Sequence, residues 1–375
     1  MSSTKGKVIK CKAAVAWEQS QPIAIEEIEV APPTGKEVRI KIVSAGLCHT
    51  DVSGWNGGFP NSFPSVLGHE GSGIVESVGE GVTSFEEGDH ILVFCLPRCR
   101  ECPLCKSSEI NLCQRFLDKF YSQEKDVASS RLSCKGKTVY TLLGSGTYSE
   151  YAVVNESMLC KVNKEAPLDK IVPLSCGVTT GYGSVVNFAK VKPGSTCAVF
   201  GLGTVGLAAI MGCKQRGAKR IIGIDINNGK KDIARKLGLT EFYNPNEQDK
   251  PIEDVLTEKT VRGCDYTFEC SGIKEVLESS LKSCRLGGGH CVLIGAPPFG
   301  QKMTLDPYKV LYGCHVSGCI LGGYKAEDLS QLVDDYMNKK IVLDEFITSS
   351  SSIENINEAF ENMGKGNSIK HIMFF

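Results

Sequence analysis

The first stretch of the chain alternates short apolar runs with polar and turn residues. AAVAW, EVRIKIVSAG, SGIVESVG and HILVFC are separated by segments rich in Gly, Pro and charge. Runs of this length and spacing predict a β-rich region rather than a helical one. From Lys192 onward the pattern changes. TCAVFG reads as a strand, TVGLAAIMGCKQRG as a helix and RIIGID as a strand, with further strands at CDYTFEC and GHCVLIG. A helical pattern returns at AEDLSQLVDDYMNKK. Strands alternating with helices predict an α/β region with a parallel sheet wrapped by helices. The serines at 349–352 read as a short loop, and no internal repeat or low-complexity tract is visible.

One uncharged run, Thr196 to Cys213 (TCAVFGLGTVGLAAIMGC), is long enough to suggest a membrane span. Its glycines, and Lys192 and Lys214 close on either side, favour a strand, a tight turn and a helix instead. The glycines of GLGTVG (Gly201, Leu202, Gly203, Thr204, Val205, Gly206) fit G-x-G-x-x-G. In a chain with 40 glycines that pattern alone is weak, but its context is informative. It follows a strand and opens a helix, and Asp225 ends the next strand. Gly201 permits the turn, Gly203 lets a pyrophosphate approach the backbone, and Gly206 lets helix and strand pack closely. The phosphates would meet the free N–H groups of that helix. Asp225 would accept hydrogen bonds from the adenosine ribose, and its charge favours NAD over NADP.

Length and composition narrow the class. A chain of 375 residues exceeds a single ordinary core, so two domains are expected. With 42 basic against 43 acidic side chains the net charge is −1, which offers no broad basic field for nucleic acid. The start, MSSTKGKVIKCK, has no signal-peptide or lipidation pattern, so a cytoplasmic, reducing compartment is expected. There, 18 cysteines are expected as thiols and metal ligands rather than disulfides.

Four of them lie in CRECPLCKSSEINLC, Cys99, Cys102, Cys105 and Cys113, spaced C-x2-C-x2-C-x7-C. Thiolates in such turns can converge on one tetrahedral zinc. A shell of four thiolates leaves no open position, so this zinc would be structural. Disulfides across x2 spacings would be strained. A nucleic-acid finger would need a basic recognition helix, and KSSEI and QRFLDKF are not markedly basic. A second set is scattered: Cys48 in GLCHTD, His69 and Glu70 in LGHEG, and Cys176 in LSCGVTTGYG. Two thiolates, one imidazole and a free fourth position make a catalytic zinc pattern for alcohol oxidation. Spacing alone leaves this choice open, since other cysteines could serve and a buried His or Cys is usually core.

Taken together, LCHTD, GHEGSGIVESVGEGV, the cysteine lobe, LSCGVTTGYG and STCAVFGLGTVGLAAIMGCK resemble the zinc-containing medium-chain alcohol dehydrogenases of the dimeric animal and plant type. The similarity spans essentially the whole chain. It implies a GroES-like, β-barrel-type catalytic domain over 1–177 and 321–375, and an inserted doubly wound Rossmann domain over 178–320. The active site would lie in the cleft. The implied enzyme transfers hydride reversibly between primary or secondary alcohols and NAD, giving aldehydes or ketones. It holds two zinc ions per chain and forms a homodimer, with a small-molecule substrate and neither nucleic acid nor membrane as partner.

In the roles the resemblance implies, Cys48, His69 and Cys176 hold a catalytic zinc that binds the substrate alkoxide. Glu70 lies behind the metal as an occasional ligand, and Asp51 orients His69. Thr50 would take the alcohol proton and pass it to the nicotinamide ribose. His49 and Lys370 would meet the pyrophosphate, Lys230 the adenosine ribose, and Ile294, Gly295 and Ala296 the cofactor as well. Phe59, Cys95, Leu142, Leu143, Ala296 and Ile320 would line the substrate pocket, with Cys95 and Ala296 small enough to admit longer alcohols.

Two departures stand out. Relatives that end the proton relay in a histidine have it five residues past the first zinc cysteine, where this chain has Ser53. Either Ser53 with water completes the path or His49 substitutes. The glutathione-dependent formaldehyde dehydrogenase branch carries an arginine four residues after the last lobe cysteine. Here Leu117 stands there, which argues against S-hydroxymethylglutathione as substrate. Two rival classes remain: an interaction protein with one zinc ribbon and an NAD-sensing domain, and a zinc-free quinone reductase of the same superfamily. Neither accounts for Cys48, His69 and Cys176.

Overall fold

The computed structural model describes residues 4–122, 130–366 and 368–375. The chain divides into two compact units. One runs to Cys176 and resumes over Lys325–Phe375; the other is Gly177–Tyr324.

The first unit is a GroES-like β-domain. Among the described residues, Ile9–Ala16, Ala24–Val30, Leu132–Cys134, Lys137–Thr141 and Ser65–Val66 close into a barrel. Ile9–Ala16 starts with alternating buried and exposed positions, as expected of a strand with one face on a core. Ile28, Val66, Leu67, Val139 and Tyr148 fill the barrel, and Ile356 and Phe360 of the helix Ile356–Gly364 pack against them. Each such side chain contributes roughly 1.5–3 kcal/mol by leaving water. A second sheet runs in the order Leu159–Lys161, His90–Val93, Glu70–Val78, Glu37–Gly46, Lys370–Phe374, Ile347–Ser352, with Tyr151–Asn155 also pairing to Glu37–Gly46. The late strand Lys370–Phe374 is antiparallel to Glu37–Gly46, with Ile372 opposite Gly46. Arg39 is fully buried under this sheet, forked onto Glu76 at 2.6 and 3.1 Å and onto the carbonyls of Lys7 and Thr4. Removing Glu76 would strand a buried charge at a cost of about 3–5 kcal/mol.

The serines at 349–352 correct the sequence reading. They are the end of the strand Ile347–Ser352, not a loop. Serine is a poor strand former, but tertiary context overrides propensity here. The strand is parallel to Lys370–Phe374, and Ser349 and Ser351 hydrogen-bond His371.

The second unit is a six-stranded, all-parallel sheet in the order Glu241–Tyr243, Arg220–Ile224, Thr196–Phe200, Tyr266–Glu269, His290–Leu293, His315–Gly318. Counted from Thr196–Phe200 as the first strand, this is the 3-2-1-4-5-6 order of a doubly wound Rossmann sheet. Its central strand is buried almost throughout, because helices cover both faces of a parallel sheet. The apolar run from Thr196 resolves into that strand and the helix Thr204–Gln215. Among the described residues no helix is long and apolar enough to cross a membrane.

Candidate metal and cofactor site

Cys48, the adjacent pair His69 and Glu70, and Cys176 come from three separate places in the first unit, yet their ligand atoms all lie within 4.8 Å of one another. Cys48 is the extended residue capping the helix His49–Asn56. His69 and Glu70 enter the strand Glu70–Val78. Cys176 occupies the break between the short helical turn Val172–Ser175 and the helix that begins at Gly177.

The imidazole is the most informative member. His69 is 1% exposed. Its Nδ1 lies 2.9 Å from Asp51 Oδ1, which also accepts the Gly68 N–H, while Tyr148 donates its hydroxyl to Asp51 Oδ2. A buried carboxylate at that distance calls for a proton on Nδ1, so Nε2 is the nitrogen that could give a lone pair to a metal. Nε2 is buried and has no hydrogen-bond partner. Orphaned buried nitrogens are rare, and this one sits among two sulfurs and a carboxylate: the donor set of a zinc site. The thiols share a proton unequally. Cys48 is held well below the usual thiol range by its hydrogen bond with Cys176, helped by the charge of Lys370. The same contact pushes Cys176 up.

Glu70 lies behind them. Burial raises its carboxyl to about 7 against the pull of Lys370, whose Nζ lies 2.7 and 2.8 Å from the two oxygens. That ammonium also donates to Leu47 O, so Lys370, expected at a pyrophosphate, has its protons engaged within the first unit. Burial lowers the Lys370 pKa, and the Glu70 charge more than reverses this. A side chain at Gly46 would collide with Glu70, its Cβ falling 2.2 Å from Oε2.

Thr50 and Ser53 are half-buried and share one face of the helix His49–Asn56, three residues apart. Thr50 Oγ1 lies 3.7 Å from Cys48 Sγ, and His49 is exposed. Cys95 and Leu142 are buried, and Phe59 and Leu143 pack half-buried against the barrel core. In the other unit Ile320 is exposed.

The cysteine lobe is a second convergence. The sulfurs of Cys99, Cys102, Cys105 and Cys113 lie within 4.8 Å of one another. Backbone N–H groups point at them: Cys102 at Cys99, Cys105 and Gln114 at Cys102, and Cys99 at Cys113, all at 3.4–3.5 Å. Hydrogen bonds from the Cys105 and Gln114 amides bring Cys102 down to about 6, whereas burial takes Cys105 up to about 11. Arg98 ties the lobe to the rest of its unit through Glu327 at 2.9 Å. All 18 cysteines are free thiols.

In the second unit Gly201 has φ +85°, a conformation that glycine adopts without strain. A Cβ on Gly206 would lie 1.8 Å from Gly201 O, whereas one on Gly203 would meet nothing within 4 Å. The turn is therefore tight on the sheet side and open at the helix start, where Thr204 and Val205 begin the helix. Asp225 Oδ2 accepts from Leu202 N at 2.7 Å and lies 3.1 Å from Lys230 Nζ, and Oδ1 accepts from Asn227 N.

Two residues escaped sequence reasoning. Tyr148 holds Asp51, and nothing near it in sequence marks it out. Glu269, fully buried at the end of Tyr266–Glu269, accepts from Ser271 N at 2.7 Å and Gly272 N at 3.1 Å through its carboxylate. Its backbone carbonyl accepts from Ile294 N and Gly295 N. It thus joins two loop tips at the carboxyl edge of the sheet. The available signal was an acidic residue closing an otherwise apolar strand.

Comparison with known proteins agrees with this layout. The family model described as "Alcohol dehydrogenase GroES-like domain" matches residues 34–164, and that described as "Zinc-binding dehydrogenase" matches 204–337. The chain is 48% identical over 377 residues to "Alcohol dehydrogenase class-3" of Drosophila melanogaster, covering all of both chains. To the protein of the same description from Myxine glutinosa it is 49% identical, covering 99% of this chain and 100% of the relative. Among solved structures, benzyl alcohol dehydrogenase from Acinetobacter calcoaceticus superposes with a TM-score of 0.89 at 29% identity, over 98% of this chain and 99% of that one. The chain belongs to the zinc-binding medium-chain alcohol dehydrogenase family, matches its class-3 members, and is an NAD-dependent oxidoreductase.

Proposed function

We propose that the chain oxidises primary and secondary alcohols to aldehydes and ketones, reversibly, with NAD as hydride acceptor and two zinc ions per chain. The observation that carries this reading is the orphaned His69 Nε2, aimed among Cys48, Cys176 and Glu70 with Asp51 behind it. When bound there, zinc would supply Lewis acidity to the substrate oxygen and lower the alcohol's pKa. Everything else is work for the chain's own side chains. Asp51 and Tyr148 keep the imidazole in the tautomer whose free nitrogen faces the site. Thr50 takes the alcohol proton, and Ser53, on the same helix face, hands it on toward water. The GLGTVG turn and Asp225 hold the dinucleotide, with Lys230 at its ribose and Ile294, Gly295 and Ala296 beside the ring. His49 stands at the pyrophosphate, and Lys370 reaches it only by leaving Glu70. The enzyme acts as a homodimer.

The two class-3 relatives favour a second, narrower reading, in which the chain shares their substrate rather than accepting alcohols broadly. Against an anionic glutathione adduct stands Leu117, half-buried in the helix Gln114–Ser122, while the nearby Arg115 is paired to Glu101 at 2.7 Å. Initial-rate NADH absorbance decides between them. The broad reading expects kcat/KM to rise from ethanol to hexanol and to be abolished by a chelator. Preference for S-hydroxymethylglutathione over every simple alcohol would establish the narrower reading. Absence of any NAD reduction, with one zinc per chain, would overturn both.

A further inference from the structure

A cavity of about 350 Å³ opens between the strand Ile347–Ser352, the strand Lys370–Phe374 and the helix Ile356–Gly364. The volume is that of a small-molecule site, and its lining sets the polar groups of serines, asparagines, Glu358 and His371 among apolar surface that includes Ala359. None of its lining residues belongs to the metal or cofactor sites described above.

The hydrogen bonds at its floor admit one continuous arrangement of protons. Ser351 Oγ donates to Ser352 O at 3.1 Å. With its one proton there, its contact with His371 Nε2 at 2.9 Å is one in which the ring N–H donates. The neutral imidazole then accepts at Nδ1, from Ser349 Oγ at 2.8 Å. Ser349 in turn accepts from Ser368 at 2.8 Å, and Ser368 from Thr348 at 3.0 Å, whose oxygen accepts the Ile369 N–H. In that arrangement every hydroxyl proton of the chain is committed, and burial of His371 favours the uncharged ring it requires. What Ser349, Ser351 and Ser368 then offer the cavity is lone pairs.

The rim adds charge of one sign. Glu358 is the only formally charged group among the lining residues, and its carboxylate makes no hydrogen bond among the described residues. Asn355 and Asn362 likewise leave their amides uncommitted there. An anion would face the Glu358 carboxylate, with the Ser350 hydroxyl and the Asn355 and Asn362 amides as the donors against it. A neutral polyol would leave the carboxylate unpaired. A protonated amine satisfies both, with three N–H donors and a compensating charge.

We propose that this cavity binds a small organic ammonium ion, its N–H groups shared between the Glu358 carboxylate and the lone pairs of Ser349, Ser351 and Ser368. The test follows the ring signals of His371 in the 13C-histidine-labelled, zinc-loaded enzyme, assigned by their loss in His371→Gln. Propylammonium, glycerol and inorganic phosphate serve as probes. The expected result is a saturable shift with propylammonium alone, weakened about 3-fold in Glu358→Gln, as suits an exposed ion pair. NADH formation from ethanol should be unchanged in that variant. Because Glu358 is exposed, Glu358→Gln keeps the fold. No saturable shift with propylammonium, an equal response in Glu358→Gln, or tighter binding of phosphate or glycerol would overturn the proposal.

Discussion

Two clusters of sulfur ligands occupy the same unit, and they are built in opposite ways. The lobe gathers Cys99, Cys102, Cys105 and Cys113 from one short loop, and its sulfurs are wrapped by that loop's own amides. The other cluster draws Cys48, His69, Glu70 and Cys176 from distant elements, and its order comes from Asp51, Tyr148 and Lys370. A loop that carries its own ligands can be organised by the metal itself, with the bound ion contributing directly to folding. A cluster assembled by tertiary structure needs the fold first and can then hold a nitrogen unsatisfied. The first arrangement suits a staple; the second suits a site where something must come and go.

The largest effect should separate them outright. His69→Ala is expected to cut alcohol oxidation on the order of 10³-fold, as losing several kcal/mol of charge stabilisation implies, while bound zinc falls from two to one per chain and the melting temperature falls less than on loss of the lobe's zinc. Next, Cys102→Ser should lower the melting temperature by about 10 °C or more and also remove one zinc, with molecules still folded retaining turnover. If the two variants lose activity and stability in equal measure, the contrast between the clusters is wrong. Asp51→Asn sharpens it further: zinc affinity or kcat should fall about 10–100-fold, read by competition with a chromogenic chelator, because the imidazole loses its orienting charge. The smallest effect concerns the proton path. Ser53→His should raise alcohol oxidation a few-fold at low pH and leave it unchanged at high pH; an unaltered pH–rate profile would remove Ser53 from the relay.

The same contrast explains what the sequence could reveal. C-x2-C-x2-C-x7-C and GLGTVG are local, so spacing alone exposes their geometry, and the long periodic segments around Thr204 and Leu329 declare themselves as helices. The second cluster is not local. Nothing in spacing selects Cys48, His69 and Cys176 over Cys95 or Cys160, and only resemblance to a family did so. Tyr148, Glu269 and the Lys370–Glu70 pair are quieter still, since each acts through a partner far away in sequence. Ser349–Ser352 misled because their strand exists only through its pairing with Lys370–Phe374. Local chemistry writes itself into neighbouring letters, whereas tertiary chemistry does not.

The placement of Lys370–Phe374 also sets an order of events during synthesis. That strand lies inside the sheet, between Glu37–Gly46 and Ile347–Ser352, so its partner at Gly46 leaves the ribosome more than 300 residues earlier and must wait. The inserted parallel-sheet unit, complete by Tyr324, has all its strands available before then. The nascent chain therefore finishes its middle before its beginning, and the oxidation chemistry is the last thing to be assembled.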